Sequence, residues 1–246
     1  MSASGKRLSA RIVEVFSSIQ GEGVRLGERQ VFVRFGGCNL RCDYCDEPGA
    51  SDPESGEVWD SASLESAISA LLGAEAGRRH KSVCWTGGEP LLQWEFLDAM
   101  ADWARRNGLE NFLETNGVLS KALERVAARL DTVSVDIKLP SAVGMELWEE
   151  HGKFLRLVPP GSFVKVILTE DSTAQEWDRV LQVMEESSPG LPLVLQPATP
   201  VSSPRRQGET VRPIPPVRAL EFLLKARQRL RDVRLVPQWH PIWKMR

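Results

Sequence analysis

QVFVRFGGCNLRCDYC, residues 30 to 45, runs a short apolar stretch straight into a loop that holds three of the chain's four cysteines. QVFVRF, rich in Val and Phe, reads as a buried strand. Cys38, Cys42 and Cys45 follow it at a spacing of three and then two intervening residues. The thiols therefore stand at the C-terminal end of a strand, where parallel α/β folds collect their chemistry.

Further along the chain, SVCW (82–85), NFLE (111–114), TVSVD (132–136), FVKVIL (163–168) and LVLQ (193–196) read as more buried strands, and RIVEVF (11–16) as an extra one in front. Between them lie segments of helical period. Leu64, Ala67, Ile68, Leu71 and Leu72 share one helix face. Residues 92–107, 119–129, 144–151, 173–187 and 216–231 also read as helices, with Gly108, Gly117, Gly152 and Gly190 near their ends. Strand–helix alternation predicts a parallel sheet covered by helices. About six parallel strands are too few for an eight-stranded closure and predict an α/β fold of the partial, open β/α-barrel kind. A doubly wound sheet is the alternative. The segment 197–216 carries six prolines and reads as a long surface loop.

Bulk properties narrow the function classes. With 246 residues, 42% of them hydrophobic, the chain is expected to fold as one domain over residues 1–246. A net charge of −2 leaves no electrostatic footprint for nucleic acid. The pairs Arg78-Arg79, Arg105-Arg106 and Arg205-Arg206 are expected at solvated helix ends and in a loop. No run reaches the apolar length of a membrane span, and MSASGKRLSA lacks a signal-peptide core. A cytoplasmic location follows as an expectation, and it disfavours a disulfide among the clustered thiols.

The remaining readings of the thiols are zinc, a redox thiol and an iron–sulfur cluster. A closed zinc site needs four ligands, yet no second cysteine pair exists, and His80, His151 and His240 lack ligand-like spacing. A redox CxxC would leave the third thiol unexplained. Cys84, inside SVCW, reads as a small core residue. Three thiolates suit a 4Fe-4S cluster with one iron left open.

With Tyr44 before the last cysteine, this loop resembles that of the radical S-adenosylmethionine (radical SAM) superfamily. TGGEP (86–90), directly after SVCW, resembles the superfamily's motif for the methionyl amino group; alone it would read as a glycine turn. Glycines allow close backbone approach, and Glu89 offers a charge-assisted partner. The resemblance implies a radical SAM core, a 4Fe-4S cluster on Cys38, Cys42 and Cys45, and S-adenosylmethionine held by Tyr44, Asp46, Gly87, Gly88, Glu89, Ser134, Lys138 and Gln196.

IQGEG (19–23) and VRFGGCN, with Arg34 four residues before the first cysteine, carry the resemblance further. Together with ETNG (114–117), SVDIK (134–138 within it), LQP (195–197) and VPQWH (236–240), they are similar to the 7-carboxy-7-deazaguanine synthase family. That family contracts 6-carboxy-5,6,7,8-tetrahydropterin with loss of ammonia, through a radical drawn from S-adenosylmethionine. It implies a small-molecule pterin substrate met by Ile19, Gln20, Gly21, Glu22, Arg34, Thr86, Glu114 and His240. Arg34 suits a carboxylate, while Gln20 and Glu22 suit the amide and amino edge. Without its neighbours, Arg34 would read as capping a strand and pairing a surface acid. His240 has a packed reading too, beside Trp239 and Trp243.

Where the family has Thr or Ser to ligate magnesium, this chain has Glu47. A carboxylate is also a hard ligand for Mg2+, so Glu47 is the candidate. The alternatives are a surface glutamate opening the loop DEPGASDPESGE, or a site without metal. Family resemblance further implies an electron donor such as flavodoxin or ferredoxin and a homodimer. Rival functions are a glycyl-radical protein activase, an enzyme for a related pterin or purine, an iron–sulfur electron carrier and a zinc-binding module.

Overall fold

The computed structural model describes residues 8–74 and 80–245. The Arg78-Arg79 pair and residues 1–7 of the N-terminal segment lie outside them. The chain begins with β1 (Ser9–Ile19), β2 (Arg29–Phe35) and β3 (Glu57–Asp60), and then α1 (Ser61–Ala74), β4 (Ser82–Gly87) and α2 (Trp94–Arg106). It continues as β5 (Glu110–Thr115), α3 (Ser120–Val126), β6 (Thr132–Asp136), α4 (Pro140–Val143), α5 (Trp148–Leu155) and β7 (Phe163–Leu168). The last elements are α6 (Ala174–Ser187), β8 (Leu193–Pro197), β9 (Val201–Ser202), β10 (Thr210–Val211), α7 (Pro216–Arg227), β11 (Val233–Leu235) and α8 (His240–Trp243).

One sheet takes the order β11-β8-β7-β6-β5-β4-β2-β1-β3. From β2 to β11 every neighbouring pair is parallel, while β1 and β3 are antiparallel additions at the edge. Each core strand is buried on both faces, which is why it reads as an apolar run rather than an alternating one. One face sends Val31, Val33, Phe35, Val83, Trp85, Leu113, Val133, Val135, Val164 and Val166 into the main core against the helices. Helix α2 meets that core with Phe96, Leu97, Met100 and Ala104, the i, i+4 stripe of an amphipathic helix. Helix α6 starts at a reciprocal cap: Glu176 N–H donates to Thr173 Oγ1, and Thr173 N–H donates to Glu176 Oε2.

The other face is concave. Phe16, Phe32, Cys84, Phe112, Phe163 and Val194 form a second apolar cluster drawn from six strands. Cys84 is thus the small core residue expected of it. The loop between β1 and β2 turns across this concavity. Gly23 packs against the Phe163 ring, Glu22 pairs with Lys165 on β7, and Arg25 donates to Glu110 Oε2 and Thr132 Oγ1 at 3.2 and 2.8 Å. In a flat sheet β1 and β7 would stand five spacings, about 24 Å, apart. The sheet is therefore curled into an open barrel, and the doubly wound alternative falls.

Several expectations need correction. A seventh parallel strand, β11, extends the six. The helix expected over 144–151 starts only at Trp148 and runs on to Leu155 as α5, while Gly144, with φ 76°, ends the separate short helix α4 before it. Gly152 lies inside α5 rather than at its end. The proline-rich segment is not a plain surface loop: it contains the β9–β10 hairpin and buries Ala198, Ser203, Val211 and Ile214. Arg205 and Arg206 are not simply solvated. They flank Asp43, only 2% exposed, at 3.8 and 3.3 Å, and Ser203 Oγ donates to the same carboxylate at 2.8 Å. This contact clamps the proline-rich segment onto the cysteine loop.

Candidate active site

A cavity of about 450 Å³ opens on the concave face at the C-terminal ends of β2, β4, β5 and β6. Its polar lining arises from strand register. Arg34 pairs beside Thr86, Glu114 beside Ser134, and Asp136 beside Lys165, each pair on adjacent parallel strands. One polar layer therefore caps the apolar cluster beneath.

At one end stand the three cysteines with Tyr44, Asp136 and Lys138. The loop leaves β2 through Gly36 and Gly37, and Asn116 donates to Asn39 Oδ1 at 2.8 Å, so the end of β5 holds the first cysteine in place. Burial pushes the Cys42 thiol up to about 11 and raises Cys38 and Cys45 as well. Metal ligation at such thiols releases protons. Lys138 donates to Asp136 Oδ2 at 2.7 Å and lies 5.1 Å from the centre of the Tyr44 ring. Burial disfavours its charge, but Asp136 outweighs that and holds it protonated.

The glycines of TGGEP are sterically required. Gly87 has φ 129°, and a Cβ there would run into the Phe35 backbone; one at Gly88 would run into the Gly37 carbonyl. Glu89 behaves differently from expectation. Its carboxylate is fully buried and accepts from Leu91 N–H, Asn116 N–H and Thr115 Oγ1 at 3.1, 2.8 and 2.9 Å. Burial lifts its pKa to about 7 against those donors. Glu89 is absent from the cavity wall and splices the β4 turn to the β5 turn. Gln196 is likewise off the wall, 0% exposed, and neither atom of its amide has a partner among the described residues.

The opposite end gathers Ile19, Gln20, Gly21, Glu22, Arg34, Thr86, Glu114 and His240. Gln20 is spent within the protein: its Nε2 donates to Glu114 Oε1 and Gln30 Oε1 at 2.9 and 3.2 Å, and its Oε1 accepts from Glu22 N–H at 3.0 Å. It thus sets the Glu114 carboxylate and the IQGEG backbone rather than offering its own amide. Thr86 Oγ1 also donates to Glu114, at 2.7 Å. Burial works against charge on Glu22, but Lys165 and a 2.6 Å bond from Gln238 outweigh it and bring the carboxyl down to about 2. His240 is not simply packed against tryptophan: it faces Gly21 and lies 3.8 Å from Asp46. Glu47, the candidate metal ligand, reaches instead to Arg34, 3.5 Å away. Glu22, Asp46 and His240 are the described residues whose ligand atoms converge, within 4.8 Å of one another.

Sequence reasoning brought together all but two of its candidates and missed four residues. Asp136 and Lys165 join Glu22 to Lys138 in a chain of alternating charge, with Lys165 3.8 Å from Asp136. Their signals were a lysine inside the apolar strand FVKVIL and the aspartate of SVDIK. Gln238 stood in the quoted VPQWH. His151 had no signal: from α5 it accepts from Lys138 N–H at Nε2 (3.1 Å) and meets Gly117 O at Nδ1 (3.0 Å).

Comparison with known proteins agrees with this geometry. The family model described as the Radical SAM superfamily matches residues 32–168. The chain is 37% identical to 7-carboxy-7-deazaguanine synthase of Geobacter sulfurreducens, over 94% of this chain and 96% of that one. To the protein of that name from Methanothermobacter thermautotrophicus it is 34% identical, over 95% and 96%. The crystal structure of QueE from Escherichia coli superposes with a TM-score of 0.60 over 94% of both chains, at 20% identity, a likeness of fold.

Proposed function

Because this chain belongs to the radical SAM superfamily and, within it, to the 7-carboxy-7-deazaguanine synthase family, we propose that it converts 6-carboxy-5,6,7,8-tetrahydropterin to 7-carboxy-7-deazaguanine with loss of ammonia. The observation that carries this reading is the two-ended cavity, three thiols at one end and Arg34 with Glu114 and Glu22 at the other. The first end fits a 4Fe-4S cluster and S-adenosylmethionine. Asn116 Oδ1 and Asp136 Oδ1 there are buried without partners among the described residues, and buried polar atoms on a cavity wall call for a ligand. Oxygen donors on Glu22, Asp46 and Glu47 suit Mg2+.

When bound, the cluster and S-adenosylmethionine supply the hydrogen abstraction that starts the rearrangement. The chain's own residues position and enclose. Cys38, Cys42 and Cys45 hold the cluster, while the Gly87-Gly88 backbone, Ser134 and Asp136 offer the methionyl and ribose groups acceptors. Arg34 meets the substrate carboxylate with a planar fork of donors. Glu114, fixed by Gln20 and Thr86, accepts from the amino edge of the pterin, and Glu22, kept charged by Lys165, accepts beside it. His240 and Gln238 close the rim and limit water.

We propose further that the electron comes from a small redox protein of the flavodoxin or ferredoxin class, that two copies pair as a homodimer in the cytoplasm, and that residues 1–246 act as one domain. Among the described residues, no helix is long and apolar enough to cross a membrane.

The test is direct. Protein reconstituted without oxygen should turn the carboxytetrahydropterin into a product with the mass of the deazaguanine, given S-adenosylmethionine and a reductant. 5′-Deoxyadenosine without that product would keep the radical enzyme and discard this substrate.

A further inference from the structure

Arg34 is held between carboxylates of its own chain. Its Nε donates to Glu14 Oε1 at 2.9 Å, and its Nη2 lies 3.5 Å from Glu47 Oε1. Glu114 adds a third negative charge to its surroundings. One guanidinium thus faces three acids, and a carboxylate ligand would make a fourth.

The acids are not equivalent. Glu114 is bound by Thr86 and Gln20, and Glu14 stands outside the cavity wall on β1. Glu47 lines the wall and is 47% exposed at its side chain. Its backbone is fixed there. Ala50 N–H donates to the Glu47 carbonyl at 3.0 Å, and the turn Pro48–Ser51 is stitched to the end of β2 through Gly37 N–H to Ala50 O and Cys38 N–H to Ser51 O. The side chain is therefore aimed at Arg34 by the same turn that shapes the cysteine loop. A Thr or Ser at this position would be shorter and uncharged, and would leave the guanidinium with Glu14 and Glu114 alone.

A ligand carboxylate must share Arg34 with Glu47 or replace it, and like charges at contact distance oppose sharing. A hard divalent cation reverses the balance, because Glu47 and neighbouring Asp46 offer it oxygen ligands. We propose that Glu47 is an internal competitor for Arg34, displaced by the incoming carboxylate ligand, and that a divalent cation decides the competition by drawing Glu47 away. The inference rests on the reading of the substrate as a carboxylated pterin. It makes cation and substrate bind with positive coupling, which by linkage works in both directions.

The experiment is equilibrium dialysis of 6-carboxypterin, the stable oxidised relative of the substrate, against cluster-loaded protein with S-adenosylmethionine and without oxygen. In the wild type, magnesium chloride should tighten binding about fivefold, the equivalent of ~1 kcal/mol. Glu47→Gln should bind without magnesium about as tightly as the wild type does with it. Unsubstituted pterin should respond to neither change. An equal magnesium response in wild type and Glu47→Gln, or an equal response with unsubstituted pterin, would overturn the proposal. Failure of both proteins to bind 6-carboxypterin while still binding S-adenosylmethionine would overturn the substrate reading beneath it.

Discussion

The two ends of the cavity are finished to different degrees. At the cysteine end, buried acceptors on Asn116 and Asp136 lack partners among the described residues. At the pterin end nearly every polar group is already engaged: Gln20 with Glu114, Thr86 with Glu114, Glu22 with Lys165 and Gln238, Arg34 with Glu14 and Glu47. The first end gains hydrogen bonds when filled. The second must exchange internal bonds for external ones, so its binding is a difference between two satisfied states, and small changes in the internal partner move it.

Three variants test that contrast. Cys42→Ala should abolish the cysteine end outright, with loss of the iron–sulfur absorption and of S-adenosylmethionine cleavage to background. Intact cleavage would show that the cluster is held elsewhere. Lys165→Met strikes the pterin end by leaving Glu22 buried without the lysine that pairs it, with Gln238 and His240 still beside it. It should cost about 3–5 kcal/mol in chemical denaturation, and Lys165→Met with Glu22→Gln should recover a substantial part. No recovery would mean that Lys165 acts through packing. His151 underlies the cysteine end. Burial first, then the Lys138 charge, lowers its pKa from 6.5 to about 4. The folded protein refuses a proton that the unfolded chain accepts, so this stability is complete above pH 6.5 and is lost as pH falls toward 4. The loss should approach ~3 kcal/mol, and a His151→Gln variant should show a flatter profile between those limits.

What the sequence disclosed follows the same divide. The cysteine loop was legible because its ligands lie within eight positions and follow an apolar strand. Core strands were legible because burial on both faces writes them as unbroken runs. The strands β3, β9, β10 and β11 have two to four residues and carry exposed or charged positions, so no period marks them. Helix α4 was hidden because four residues are too few to show a period, and Gly144 at the expected start of the next helix does not declare its φ. At the pterin end, Lys165 reaches Glu22 across 143 positions. No local spacing encodes such a pair; only the curl of the sheet does. Glu47 marks the limit of resemblance as a guide: its chemistry suits a cation, and its geometry selects Arg34.

The bond from Gln238 to Glu22 spans 216 positions. With the neighbouring bond from Trp239 N–H to Gly21 O, it closes a longer stretch of chain than any other hydrogen bond among the described residues at the site, and contacts of that range cost the most entropy before they return any stability. The rim should accordingly zip up last during folding, after the cysteine loop and its supporting strands have set. Iron could then be installed through a doorway that the C-terminal strap shuts behind it.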